Sequence, residues 1–196
     1  MSSIFKVSIL ATILLALISY FFLDKSIANY FANNHNLKDI FSFITNFGLS
    51  EIYLIPSAVI FLIFLKFNKR VSNSALYIFL SVAISGILSI VIKMIFARYR
   101  PPMLLGNEHL YGFSWFDFGY LVNSFPSGHS TTAFSAFIGF SLLFPKFKWL
   151  FYLFATLIAV SRVVLDVHFL SDILIGALLG TLTSYYLYYN YFKGKI

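Results

Sequence analysis

Six apolar runs constrain this chain more than any other feature: Ile4 to Leu23, Leu49 to Phe67, Ser74 to Phe96, Ser127 to Phe144, Trp149 to Leu165 and Phe169 to Phe192. Each lies near the roughly 20 apolar residues that a helix needs to cross a bilayer core. In 196 residues they leave no room for a separate soluble domain. Only 11% of the residues are charged, where a soluble domain carries about a quarter. The expected fold is all-α: a polytopic membrane protein with six transmembrane helices in one bundle, a single membrane-embedded domain over 1–196. The fourth run is the shortest and reaches span length only if its helix begins at the Pro126-Ser127-Gly128-His129 turn, which puts that turn at a membrane face.

The first run, with Lys6 ahead of it and Ser26-x-Ala28 behind, superficially resembles a signal peptide. Its apolar stretch is long for one, and Asp24 and Lys25 separate it from that poor cleavage site, so a span is expected. The segment Asp24 to Ser50 reads as an outer stretch with an amphipathic helix in the interface, carrying Phe31, Leu37, Ile40, Phe41 and Ile44 near helical spacing. With no cysteine there is neither a disulfide framework nor a thiolate metal site. The net charge of +7 is scattered between apolar runs and forms no block or stripe for a nucleic acid, so none is expected as a partner.

The placement of the charges says more than their sum. Lys6, Lys66, Lys69, Arg70, Lys146, Lys148, Lys193 and Lys195 fall on one side of the spans, with no acid among them. All seven acids (Asp24, Asp39, Glu51, Glu108, Asp117, Asp166, Asp172) fall on the other, with Lys25, Lys38, Lys93, Arg98, Arg100 and Arg162. Cytoplasmic loops are rich in Lys and Arg. Both termini are therefore expected in the cytoplasm, and the third-to-fourth and fifth-to-sixth connections outside, facing the periplasm or exterior of a bacterial cytoplasmic membrane.

That outer face gathers ionisable groups from three span boundaries, and charges so close to lipid are functional candidates by default. Lys93 and Arg100 are seven residues apart, two turns along one face if the helix persists, before Pro101 and Pro102 stop it. Arg98 reads as a headgroup anchor. Pro126-Ser127-Gly128-His129 reads as a tight turn opening a helix whose free N–H groups and dipole favour an anion. There His129 can give a proton to a leaving group. His168 at the start of the sixth run has Asp172 four residues on, positioned to accept from Nδ1 and leave Nε2 as a nucleophile. Asp166 points elsewhere and reads as a surface charge. Metal binding is the rival use of two histidines and an aspartate, disfavoured because Lys93, Arg100 and Arg162 crowd the same region with no carboxylate pair to offset them.

Together, Lys93-x6-Arg100-Pro101, Pro126-Ser127-Gly128-His129 and Ser161-Arg162-x5-His168-x3-Asp172 resemble, in order and at every fixed position, the three signatures of the type 2 phosphatidic acid phosphatase family. The resemblance implies that Lys93, Arg100 and Arg162 hold the phosphoryl oxygens, with further hydrogen bonds from Ser127 and Gly128. It implies that His168 attacks phosphorus, Asp172 orients it, and His129 protonates the departing oxygen. No metal or other cofactor is required in that scheme. The partner is a phosphorylated lipid in the bilayer: a polyprenyl diphosphate, phosphatidic acid, phosphatidylglycerol phosphate or a lipid A. Vanadate-dependent haloperoxidases have related residues, but six apolar spans argue against that activity. A lipid phosphotransferase would differ only in what attacks the phosphohistidine. A non-catalytic lipid-binding or transport protein would need the cations but neither histidine. Phe113, Trp115, Phe116, Phe118 and Tyr120, ahead of the phosphate turn, read as an interfacial aromatic belt, with a cover over the site as the alternative.

Overall fold

In a computed structural model that describes residues 3–196, every regular element is helical. Helix α1 (Ser3–Ile18) passes through one π-helical turn, Ser19–Leu23, directly into α2 (Asp24–Asn33). The first run therefore does not end at Leu23. Asp24 and Lys25 read as loop residues by their charge, but Asp24 is buried at 1% exposure and the helix continues through it. The expected outer segment contributes α3 (Lys38–Thr45), which a short 3₁₀ turn, Asn46–Gly48, joins to α4 (Glu51–Phe64).

Helix α5 (Lys69–Phe96) is 28 residues long and opens on Asn68, whose side chain accepts from the Arg70 and Val71 amides at 3.1 Å each. That cap satisfies donors that the first turn leaves unpaired. The helix stops at Ala97, in the left-handed region at φ 43°. A short α6 (Pro101–Leu105) begins four residues past Ala97, with both prolines in its first turn, where their missing N–H costs nothing. Lys93 and Arg100 are thus not two turns of one helix: Arg100 is the extended residue ahead of α6. After the loop come α7 (Gly128–Leu143), α8 (Lys148–Val164) and α9 (Leu170–Leu187).

Among the described residues, five helical stretches are long and apolar enough to cross a membrane: Phe5–Asn33, Lys38–Phe64, Lys69–Phe96, Pro145–Val164 and Leu170–Phe192. Helix α7, the fourth of the six expected spans, has 16 residues and so runs about 24 Å. It packs against α5, α8 and α9 and forms the centre of the bundle. The inside is lined with small polar side chains: Ser81, Ser85 and Ser89 on α5, Ser130, Thr131 and Ser135 on α7, Ser171 and Ser184 on α9. Leu10, Phe22, Ile55, Leu62, Ile87 and Trp149 face outward. This inverted distribution belongs to a helical bundle in lipid, where small residues let helices approach and apolar ones meet acyl chains.

Helices α7 and α9 approach each other closely. A Cβ on Gly176 would lie 2.6 Å from the Ser127 carbonyl oxygen, and one on Gly180 would collide with the Thr131 carbonyl. These two glycines, four residues apart, press the start of α9 onto the first turns of α7. That contact fixes the two signature-bearing termini side by side. At the opposite end of the bundle, Asn73 donates to the Lys195 carbonyl at 3.2 Å, so the start of α5 and the chain's basic C-terminus lie together.

Candidate active site

Four helix ends meet at the signature end of the bundle: the C-terminus of α5, the N-terminus of α7, the C-terminus of α8 and the N-terminus of α9. Each contributes a predicted residue. From the last turn of α5, Lys93 Nζ donates to the Asn123 carbonyl at 2.8 Å. The same carbonyl accepts from an Arg100 terminal nitrogen at 3.3 Å, so one loop oxygen gathers two cations. Arg100 Nε donates to the Tyr120 carbonyl at 2.9 Å, and the Tyr120 ring lies over its guanidinium, 4.2 Å from the ring centroid. Of the five loop aromatics read as a belt, Tyr120 therefore covers a site residue. Trp115, Phe116, Phe118 and Tyr120 itself are exposed.

Ser127 caps α7, its hydroxyl accepting from the Ser130 amide, and its own N–H donates to the Asp172 carbonyl at 3.1 Å. Gly128 faces Lys93: a Cβ there would sit 4.0 Å from Lys93 Cε. His129, in the first turn, packs on Gly48, whose added Cβ would lie 2.6 to 2.9 Å from three His129 carbons. Arg162, in the last turn of α8, donates to the Thr45 hydroxyl at 2.7 Å, while its Nε and the Ser130 hydroxyl are buried without a partner among the described residues. The Arg162 carbonyl accepts from both the Val167 and His168 amides at 3.0 Å, which ties the nucleophile candidate to the cation beside it.

His168 precedes α9 rather than opening it, since the helix starts at Leu170. Its Nδ1 lies 3.7 Å from Asp172 Oδ2 and 3.4 Å from the Ser124 hydroxyl. Ser124 in turn donates to Asp172 Oδ2 at 2.6 Å, and the Phe169 amide donates to that same oxygen at 2.9 Å. His168 is 4% exposed. Burial pushes its pKa well below the ordinary histidine value, Asp172 opposes that shift, and Lys93 and Arg100 add to it. The ring is neutral at physiological pH, with Nδ1 turned to Asp172 and Ser124.

Arg98 is not a headgroup anchor. It is fully buried, donating to Asp172 Oδ1 at 2.5 Å, Ser171 Oγ at 2.6 Å, Asp24 Oδ2 at 2.8 Å and the Tyr111 hydroxyl at 3.0 Å. Burial works against its charge, but Asp172 and Asp24 more than offset that and hold its pKa up. For Arg100, burial lowers the pKa and only Tyr120 and Asp172 resist. Asp166 is also less exposed than a surface charge, since Lys38 Nζ bonds it at 2.6 Å.

Sequence reasoning missed Thr45, Asn123, Ser124, Asp24, Ser171 and Tyr111. Ser124 stands three residues before Ser127, close enough to the signature to have been noticed. The Asn123 contribution, and part of that of Tyr120, is a backbone carbonyl, which no residue type announces. Among the described residues there is no cluster of three or more His, Cys, Asp or Glu side chains able to hold a metal ion.

A family model described as the PAP2 superfamily matches residues 74–195, which takes in all the signature positions. The chain is similar to a lipid A 1-phosphatase of Rhizobium johnstonii, 34% identical over 109 residues, covering 53% of this chain and 42% of that one. It is also similar to an undecaprenyl-diphosphatase of Sulfolobus acidocaldarius, 28% identical over 150 residues, covering 76% and 68%. The chain spans less than half the length of the lipid A 1-phosphatases it matches. Among solved structures, Aquifex aeolicus LpxE superposes with a TM-score of 0.64 at 25% identity, covering 86% of this chain and 96% of that one. A transmembrane PAP2-type phosphatidylglycerolphosphate phosphatase from Bacillus subtilis has the same TM-score at 23% identity, covering 92% of each chain, and shares the fold.

Proposed function

Because this chain belongs to the PAP2 superfamily, we propose that it is an integral membrane phosphatase that removes phosphate from a phosphorylated lipid through a phosphohistidine on His168. The observation that carries this reading is the pairing of a neutral, buried His168 with Asp172 and Ser124 on its Nδ1 side, beside Lys93, Arg100 and Arg162. A binding protein needs the cations but has no use for an oriented nucleophile.

Lys93, Arg100 and Arg162 take the non-bridging phosphoryl oxygens, with the Ser127 and Gly128 region at the start of α7 adding N–H donors and the positive end of a helix dipole. Phosphoryl transfer is governed by positioning and by charge on those oxygens, so this is where catalytic stabilisation is concentrated. His168 Nε2 attacks phosphorus, forming the N–P bond as the bond to the leaving oxygen breaks. Asp172 stabilises the imidazolium through Nδ1–H. His129 gives its proton to the leaving oxygen, then takes one from the water that attacks phosphorus, which releases inorganic phosphate and restores neutral His168.

The relatives make lipid A 1-phosphate and undecaprenyl diphosphate the first substrates to try, with phosphatidylglycerol phosphate and phosphatidic acid after them. The charge distribution supports cytoplasmic termini and a site on the outer face of the membrane. The test is phosphate release by the purified chain from each of these lipids, with alkaline detergent quenching of reactions on phosphate-labelled substrate to trap base-stable, acid-labile phosphoprotein. Phosphate release undiminished in His168→Ala, or no release from any of the four lipids, sinks the reading.

A further inference from the structure

The phosphohistidine reading requires Asp172 to hold one orientation, and the side chain that fixes it from behind is Arg98. Arg98, Asp24 and Asp172 are all buried to 0% side-chain exposure. Asp172 Oδ1 is taken by Arg98, while Oδ2 is taken by Ser124 and the Phe169 amide on the side facing His168. With both oxygens bound to groups on different elements, the carboxylate cannot turn about its own axis.

Arg98 is fixed in its turn from the N-terminal helices. Asp24 Oδ2 accepts from Arg98, and Asp24 Oδ1 accepts from the Ser19 hydroxyl at 2.6 Å and the Ser171 amide at 3.0 Å. The Ser171 hydroxyl, one residue before Asp172, bonds both Asp24 Oδ2 and Arg98. Tyr111 donates to the Tyr20 carbonyl at 2.5 Å and lies within reach of Arg98 and Asp24, and the Phe169 and Tyr20 rings face the guanidinium at 4.5 and 4.9 Å. A single buried cation between two buried carboxylates thus links the first helical segment to the first turn of α9. That segment lies outside the stretch the family model matches, 74–195.

We propose that Asp24 and Arg98 are positioning residues for the His168–Asp172 pair, so that the N-terminal helical segment is part of the catalytic apparatus and not only of the bundle. The inference rests on the phosphohistidine reading. It is distinct from anion binding, because neither residue is among the three cations that face the phosphoryl group.

The test is steady-state and single-turnover hydrolysis by the full chain, using a lipid phosphate that the wild type cleaves. Asp24→Asn and Arg98→Gln are expected to lower kcat about tenfold or more and to leave KM within about threefold, since the phosphate clamp is untouched. In an Asp172→Ala background, Asp24→Asn should add less than about a threefold loss, because residues acting through one group are not additive. Where removing a buried charge prevents folding, Tyr111→Phe keeps both charges, removes one hydroxyl from the pair and should still lower kcat about threefold. A wild-type kcat in folded Asp24→Asn, or an equal loss with and without Asp172, overturns the positioning role while leaving the phosphatase reading intact. No release by the wild type overturns that reading instead.

Discussion

Gly48→Ala puts one methyl group against the residue proposed to protonate the leaving group. The added Cβ would lie 2.6 Å from His129 Cδ2 and 2.9 Å from its Cβ and Cγ, where ordinary contact begins at 3.4 Å, a shortfall of 0.5 to 0.8 Å. One of the three atoms is the His129 Cβ, fixed to the first turn of α7, so a rotation of the imidazole cannot relieve the overlap alone. Either the 3₁₀ turn Asn46–Gly48 backs away or the ring leaves its place. Overpacking of this kind costs about 1 to 3 kcal/mol of stability, which the folded bundle can absorb. A displacement approaching 1 Å at a proton-transferring group costs on the order of 10²-fold in rate. The expected result is a kcat lowered about 10- to 100-fold, less than in His129→Ala, with KM little changed. The loss should shrink for an aryl phosphate, whose departing oxygen needs no proton. Phosphate release from lipid and aryl substrates, with thermal unfolding as a control, measures both. A wild-type kcat in folded Gly48→Ala refutes the argument, and so does an equal loss on both substrates.

Arg100→Lys keeps the charge but loses the fork that reaches the Tyr120, Asn123 and Val167 carbonyls. A fall of about 10- to 100-fold in kcat/KM is expected, and lysine rescue would remove Arg100 from the clamp. Because burial depresses the His168 pKa, the nucleophile stays neutral as pH falls through the usual histidine range near 6.5. The acid limb of the kcat/KM profile assigned to His168 should therefore lie well below pH 6.5, and a His168 NMR titration at or above 6.5 contradicts it. Chelators should leave phosphate release intact while vanadate inhibits, since a five-coordinate mimic binds tightly; abolition by chelator would restore a metal to the mechanism. A cysteine replacing Glu108 should react with an impermeant reagent added outside intact cells and one replacing Lys69 should not, and the reverse pattern overturns the orientation.

The parts of the fold that hydropathy governs were legible in the sequence. Apolar runs became helices because a bilayer-facing segment must satisfy its own backbone, and the signatures landed on four neighbouring helix ends. What failed to read were charges whose partners are distant in sequence. Asp24 and Arg98 look like loop and interface residues until each is seen to bury the other, 74 positions away. The same pairing explains why the first helix runs on to Asn33 instead of stopping at Leu23. Lys93 and Arg100 share a site without sharing a helix, because Ala97 turns the chain and the Asn123 carbonyl draws the two together. The seven-residue spacing was informative about chemistry and misleading about geometry.

The arrangement of charge would also suit the proposed site to an anion with more than one negative charge. Asp172 Oδ1 is already committed to Arg98, and Arg98 is itself shared with Asp24. Among the described residues, Lys93, Arg100 and Arg162 hydrogen-bond to backbone carbonyls and to the Tyr120 and Thr45 hydroxyls. Carbonyl dipoles can orient such groups but do not neutralise them. Three like charges near a low-dielectric bundle repel one another more than they would in water, so helix packing holds them together at a cost to stability. On the proposed reading, a phosphate dianion or a diphosphate offsets that repulsion on binding, and a five-coordinate transition state to which all three cations are fitted offsets it further. Ligands that bind only the folded state raise its stability, so inorganic phosphate and vanadate should both raise the unfolding temperature, vanadate more, while Arg162→Ala should weaken both shifts. Equal shifts with sulfate, which carries the same charge without the five-coordinate geometry, would mean that the site recognises charge alone.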